Sequence, residues 1–99
     1  MRVFVRKTEL FKGEAWVEEW LPGADDWKVV SSAKFILASG QCLIDTIDTP
    51  PKFQRRGYAS AIVRKLQETF KEVAPIGVKD SAVSFWEKFG MKDAGGKEL

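Results

Sequence analysis

The chain has 99 residues, 44% of them hydrophobic and 30% charged, with a formal net charge of +2. That length supports one modest core and a single domain over residues 1–99, and the composition is globular rather than disordered, collagenous or membranous. No apolar run approaches the roughly 20 residues that span a bilayer, and the start MRVFVRKTEL has no signal-peptide stretch, so a cytoplasmic protein is expected.

In chain order, Met1 to Phe11 carries Val3, Phe4, Val5 and Phe11 among charges and reads as a strand. Glu14 to Leu21 is open to two readings: Trp16 and Trp20 are four apart, as on a helix face, and also two steps apart on one face of a strand. The strand is the reading adopted. Pro22, Gly23, Asp25 and Asp26 predict a turn, Trp27 to Ala38 a strand, Ser39-Gly40 a second turn, and Gln41 to Thr49 a further strand stopped by Pro50-Pro51.

From Tyr58 the period becomes helical. Tyr58, Ile62, Leu66, Phe70 and Val73 recur every three or four residues, with Arg64, Glu68 and Glu72 opposite, and the helix is expected to end before Pro75. Ile76-Gly77-Val78 suits a short central strand, and Asp80 or Ser81 can cap a second helix through Phe89. Gly90 and Met91 then fit the C′ and C″ positions of a Schellman motif, and Gly95-Gly96 a final turn. The expected fold class is α+β, a mostly antiparallel mixed sheet with two main helices.

Cys42 is the only cysteine and there is no histidine. A disulfide within the chain, a thiolate metal cluster, Ser-His-Asp or Cys-His catalysis and histidine-zinc chemistry are therefore excluded together, and no metal site is expected. Cys42 in QCLI reads as a small buried hydrophobe. Charge is uneven: residues 1–49 sum to −2, residues 50–72 to +4 and residues 73–99 to zero. The middle segment is where an anion would go.

There the strand and double proline run through Lys52, Phe53, Gln54, Arg55, Arg56, Gly57, Tyr58 and Ala59 into the long helix. A helix start leaves several N–H groups without internal partners and carries about half a positive charge from the macrodipole, so a phosphate can be held by main chain alone. Gly57 allows close backbone approach, and Lys52, Arg55 and Arg56 add the positive charge that suits a diphosphate.

These residues resemble the cofactor loop of the GNAT family of acetyl-CoA-dependent N-acetyltransferases, Gln/Arg-x-x-Gly-x-Gly/Ala, met by Gln54, Arg55, Arg56, Gly57, Tyr58 and Ala59. Ser81-Ala82-Val83-Ser84-Phe85-Trp86-Glu87-Lys88-Phe89-Gly90-Met91 resembles the family's second element, Ser-x-x-x-Phe-Tyr/Trp-x-Lys-x-Gly-Phe, in the family's order and spacing. The likeness covers Gln41 to Met91. It implies a GNAT fold truncated at both ends, with the helices after the first strand missing or tiny and the closing strands cut to the stub after Met91.

The resemblance further implies that acetyl-CoA lies between the Gln41 to Thr49 strand and the Ile76 to Val78 strand. Its pyrophosphate would meet the N–H groups from Arg55 through Gly57, Tyr58 and Ala59, with Gln54 and Ser60 beside them, and an N–H near Ile47 would polarise the thioester carbonyl. The acceptor amine must lose a proton, and Asp45 and Asp48 are the nearest acids. Asp45 lies two residues before Ile47 and would share its face if no bulge intervenes, whereas Asp48 points away. For each, a solvated edge charge is the competing reading. Trp86 stands where many members place a tyrosine that protonates the leaving thiolate, and Tyr58 falls on the helix's packing face.

An open acceptor side implies an amine on a protein, a lysine or an N-terminus, or a site completed by a partner subunit, as in a homodimer. Two other functions compete with transfer. One is a catalytically silent module that binds CoA or a protein. The other is nucleic-acid binding through Lys52, Arg55, Arg56, Arg64 and Lys65 with tryptophans stacking on bases, which Glu68 and Glu72 on the same helix disfavour.

Overall fold

Side chains in the first half of the chain alternate between a buried and a wetter face, the two-residue period of extended backbone. In the computed structural model, which describes residues 1–95, this half forms β1 (Arg2–Glu9), β2 (Lys12–Leu21), β3 (Asp26–Ala38) and β4 (Gln41–Asp48). They make an antiparallel meander in chain order, and β5 (Glu72–Pro75) adds to β4 in parallel, closing a five-stranded mixed sheet of an α+β fold. The Glu14 to Leu21 segment resolves as a strand because Ala15 and Val17 turn inward with no exposed surface while Trp16 and Glu18 take the other face.

Between β4 and β5 the chain makes a 3-10 turn, Pro51–Phe53, and then helix α1 (Tyr58–Thr69). Tyr58, Ile62, Val63 and Leu66 of α1 are buried against Ala15, Val17, Ala33 and Phe35 of the sheet. Each such apolar side chain contributes about 1.5–3 kcal/mol, so this one helix face anchors the crossover. On the opposite face of the sheet, among the described residues, no side chain is buried: Phe4 and Trp16 stack at 5.3 Å, and Arg2 lies 4.0 Å over Trp27.

The second half departs from expectation in three places. Helix α1 stops at Thr69, so Phe70 and Val73 are not helical; Phe70 turns its ring edge onto Phe35 at 5.3 Å. The strand lies at Glu72–Pro75 rather than at Ile76 to Val78, because Glu72–Pro75 finds backbone partners along Gln41 to Ile44 of β4, whereas Gly77 at φ +66° breaks the extended run. The second helix is reduced to a 3-10 turn, Asp80–Ala82, and α2 (Val83–Glu87). Its end is as expected: Met91 N–H donates to the Trp86 carbonyl at 3.2 Å and Gly90 N–H to the Glu87 carbonyl at 2.9 Å, the paired bonds of a Schellman motif. The final turn expected at Gly95-Gly96 lies partly outside the described residues. No helix among the described residues is long and apolar enough to cross a membrane.

Candidate functional site

Strands β4 and β5 pair over only four residues, and the bond from Ile76 N–H to the Ile44 carbonyl, at 3.0 Å, extends the contact by one more. Beyond it the chains part. On the β5 side, the Asp93 carboxylate accepts from the N–H groups of Gly77 (3.3 Å), Val78 (2.8 Å) and Gly95 (2.8 Å), while Ala94 N–H donates to the Pro75 carbonyl at 2.8 Å. Those N–H groups are thus taken up by the returning chain after Met91 rather than by β4. The result is a cleft of about 630 Å³ whose walls include Ile44, Ile47, Thr49, Val78, Phe85 and Trp86.

A bulge shapes the β4 wall. The β3–β4 register passes from Phe35 opposite Ile44 to Lys34 opposite Thr46, leaving Asp45 as the extra residue. Phe35 and Ala33 are two apart on a regular stretch, so their partners Ile44 and Ile47 are equivalent in the ladder. The Ile44 carbonyl bonds toward β5. Ile47 therefore turns its N–H and carbonyl the same way, into the cleft where no strand follows.

The bulge overturns the face expected for Asp45. Ile47 shares its face with Ile44, and Asp45 is an exposed residue on the rim of the cleft. Asp48 stands opposite Ser32 on the face away from α1, as expected, and is also exposed on the rim. Among the described residues neither carboxylate takes part in an ion pair.

At the cleft's inner end lies the loop that enters α1. Arg55 has φ +63° and Gly57 φ +82°, with Arg56 between them outside the positive-φ region. Two left-handed residues on either side of Arg56 bend the backbone just ahead of the helix. For arginine the left-handed conformation costs about 1–2 kcal/mol, and the surrounding bonds hold it: Phe53 N–H to the Pro50 carbonyl at 2.8 Å, and Gln54 Nε2 to the Thr49 carbonyl at 2.9 Å. Helix α1 begins with no side-chain cap and no acidic residue in its first turn, so its leading N–H groups have no side-chain acceptor. Lys52, Arg55 and Arg56 are exposed and enter no ion pair among the described residues. Ala59 and Gln54 line the cleft, and Ser60 lines a second cavity beside it.

Tyr58, the remaining member of the loop motif, is buried and donates to a Glu19 carboxylate oxygen at 3.1 Å. Burial first, and then Glu19, push its phenol above the ordinary 10.0, consistent with a packing role. Trp86 is buried on the cleft wall and offers no acidic proton. Cys42 has no exposed surface, and burial pushes its thiol up to about 12, far from a nucleophile's range. Among the described residues no group of three or more His, Cys, Asp or Glu side chains could hold a metal.

Sequence reasoning missed Asp93, which helps hold the cleft open, and the bulge at Asp45. Asp93-Ala94-Gly95 carries a legible signal for the first, since an aspartate two residues before a glycine favours a turn closed by its own side chain. The bulge carries one too, since Ile44 and Ile47 stand three apart with Asp45 and Thr46 between them, a break in the two-residue period of a strand. No protein-family model matches the chain, and no curated protein matches it.

Proposed function

We propose that the chain is a short GNAT-like N-acetyltransferase that binds acetyl-CoA and passes the acetyl group to a primary amine, a lysine or N-terminus of a protein. One observation carries this reading: the cleft between β4 and β5 reaches Gln54 and Ala59, which flank the basic loop Arg55–Gly57 at the uncapped start of α1. A diphosphate suits this loop, where the leading N–H groups of α1, its dipole and the cations Lys52, Arg55 and Arg56, in no ion pair among the described residues, lie together in the chain. An extended amide-bearing arm fits the cleft, because the backbone of Ile47 offers it the partners that a fifth neighbouring strand would have used.

The chemistry asks little of side chains. The neutral acceptor nitrogen forms a bond to the acetyl carbon and gives its surplus proton to solvent as the carbon–sulfur bond breaks, and the thiolate leaves and takes up a proton from solvent. In this reading the Ile47 N–H donates to the carbonyl oxygen as charge develops there. Asp45 or Asp48, free of ion pairs on the rim, receives the ammonium proton directly or through water. The uncovered sheet face beside Asp48 leaves room for a bulky acceptor, which is why a protein amine is preferred to a small one.

A silent CoA-binding module is the second reading, favoured by Trp86 where a proton donor would stand. A nucleic-acid platform is disfavoured, since Arg2 and Arg6 on the aromatic sheet face are ion-paired with Glu18 and Glu14. Release of free CoA from acetyl-CoA in the presence of peptides with lysine or free N-termini tests transfer. Either Asp45→Asn or Asp48→Asn should lower kcat by about 10²–10⁴ with the acetyl-CoA KM little changed. Binding without release for any amine class would leave the silent module.

A further inference from the structure

Among the described residues the cleft between β4 and β5 is lined by two carboxylates, Asp45 and Asp48, and by one cation, Lys79. The loop cations Lys52, Arg55 and Arg56 are not part of its lining. Lys79 stands on the wall that continues β5. Counted from the last ladder pair, Ile44 opposite Pro75, Asp48 and Lys79 each lie four residues along the parting chains and so hold equivalent places on the two walls. Both are exposed, and neither enters an ion pair among the described residues, with the other or with a third group. The Lys79 main chain is extended, at φ −77° and ψ 149°, and its carbonyl accepts from the Ala82 N–H at 2.8 Å, which fixes the base of this side chain on the cleft wall.

We propose that Lys79 selects the acceptor, so that the amine received by the cleft carries a carboxylate close by, as in a peptide with an acidic residue next to the reacting amine. The inference rests on the transfer reading given above. In that reading the coenzyme arm in the cleft offers amides and a thioester, all uncharged, and has no use for an ammonium. The acceptor amine is itself a cation until it gives up its proton, so Lys79 repels an acceptor that is positive alone. An acceptor that is both cation and anion meets opposite charge on each wall: its ammonium on the side of Asp45 and Asp48, its carboxylate at Lys79. Lys79 is then a specificity-determining residue.

Release of CoA from acetyl-CoA with matched peptides, in which the same amine has a neutral, an acidic or an arginine neighbour, tests this directly. Because Lys79 is exposed, the wild type should favour the acidic over the neutral peptide about threefold to fivefold in kcat/KM, and less as salt is raised. In Lys79→Gln that ratio should fall to about one, and in Lys79→Glu the arginine peptide should become the best acceptor. Both variants are expected to melt with the wild type. Free glutamate, run in parallel, separates the two sources of such an amine, a small amino acid and a protein chain. Equal kcat/KM of the wild type for the three peptides, or an acidic preference persisting in Lys79→Gln, would overturn the role of Lys79 and leave the transfer reading standing. No release with any acceptor would overturn both.

Discussion

The β1–β3 meander and the β4–loop–β5 region are built from the same kinds of residue but spend their irregularities differently. In the meander, the left-handed residues Asp25 and Ser39 sit in the turns that flank β3, and the rest is regular ladder apart from single register shifts. Around the cleft, the bulge at Asp45, the left-handed Arg55 and Gly57, and the early divergence at Gly77 close no hairpin. Both regions carry left-handed residues and one register shift per antiparallel ladder, so what separates them is placement: in the meander the left-handed residues close turns between strands, and around the cleft they leave backbone that pairs with no strand.

The largest break of that comparison comes from the scaffold. Phe35 is 1% exposed and meets Phe70, so Phe35→Ala should cost about 3–5 kcal/mol in denaturant unfolding. Its effect on ligand affinity should be no larger than the loss of folded protein explains. Asp93→Ala comes next: three backbone N–H groups lose their acceptor, and a loss of about 1–3 kcal/mol is expected. Because those bonds keep residues 77 and 78 away from β4, acetyl-CoA affinity should fall with it.

Arg55→Gly sharpens the contrast, since stability and binding should move in opposite directions. Releasing the left-handed arginine should raise stability by about 1 kcal/mol, while acetyl-CoA affinity drops about tenfold with the lost guanidinium. The smallest effect belongs to Arg6→Ala in the meander. Its ion pair with Glu14 is exposed, so a change of about 0–1 kcal/mol and no change in ligand affinity are expected.

How much of this could be read from residues follows the same division. The strands of the meander and the start of α1 are local: alternation of Val and Ala with charges fixes the former, and the Tyr58, Ile62, Leu66 spacing the latter. The placement of β5 is not local. Phe70 and Val73 continue the helical period, and only the open edge of β4, a partner distant in sequence, draws Glu72–Pro75 into extended form. Of the candidate site, the basic glycine loop was legible because its composition is unusual. The left-handed φ of Arg55 was not, since arginine carries no preference for that conformation; it is imposed by the turn Pro51–Phe53 and the Gln54–Thr49 bond.

Backbone amide spectra of uniformly labelled protein, recorded as acetyl-CoA is added, test the central claim residue by residue. The N–H signals of Arg55 through Ala59 and of Ile47 should shift with saturation, and those of Arg2–Glu9 should stay in place. Unmoved loop amides, or shifts confined to the Phe4 and Trp16 face of the sheet, would contradict it.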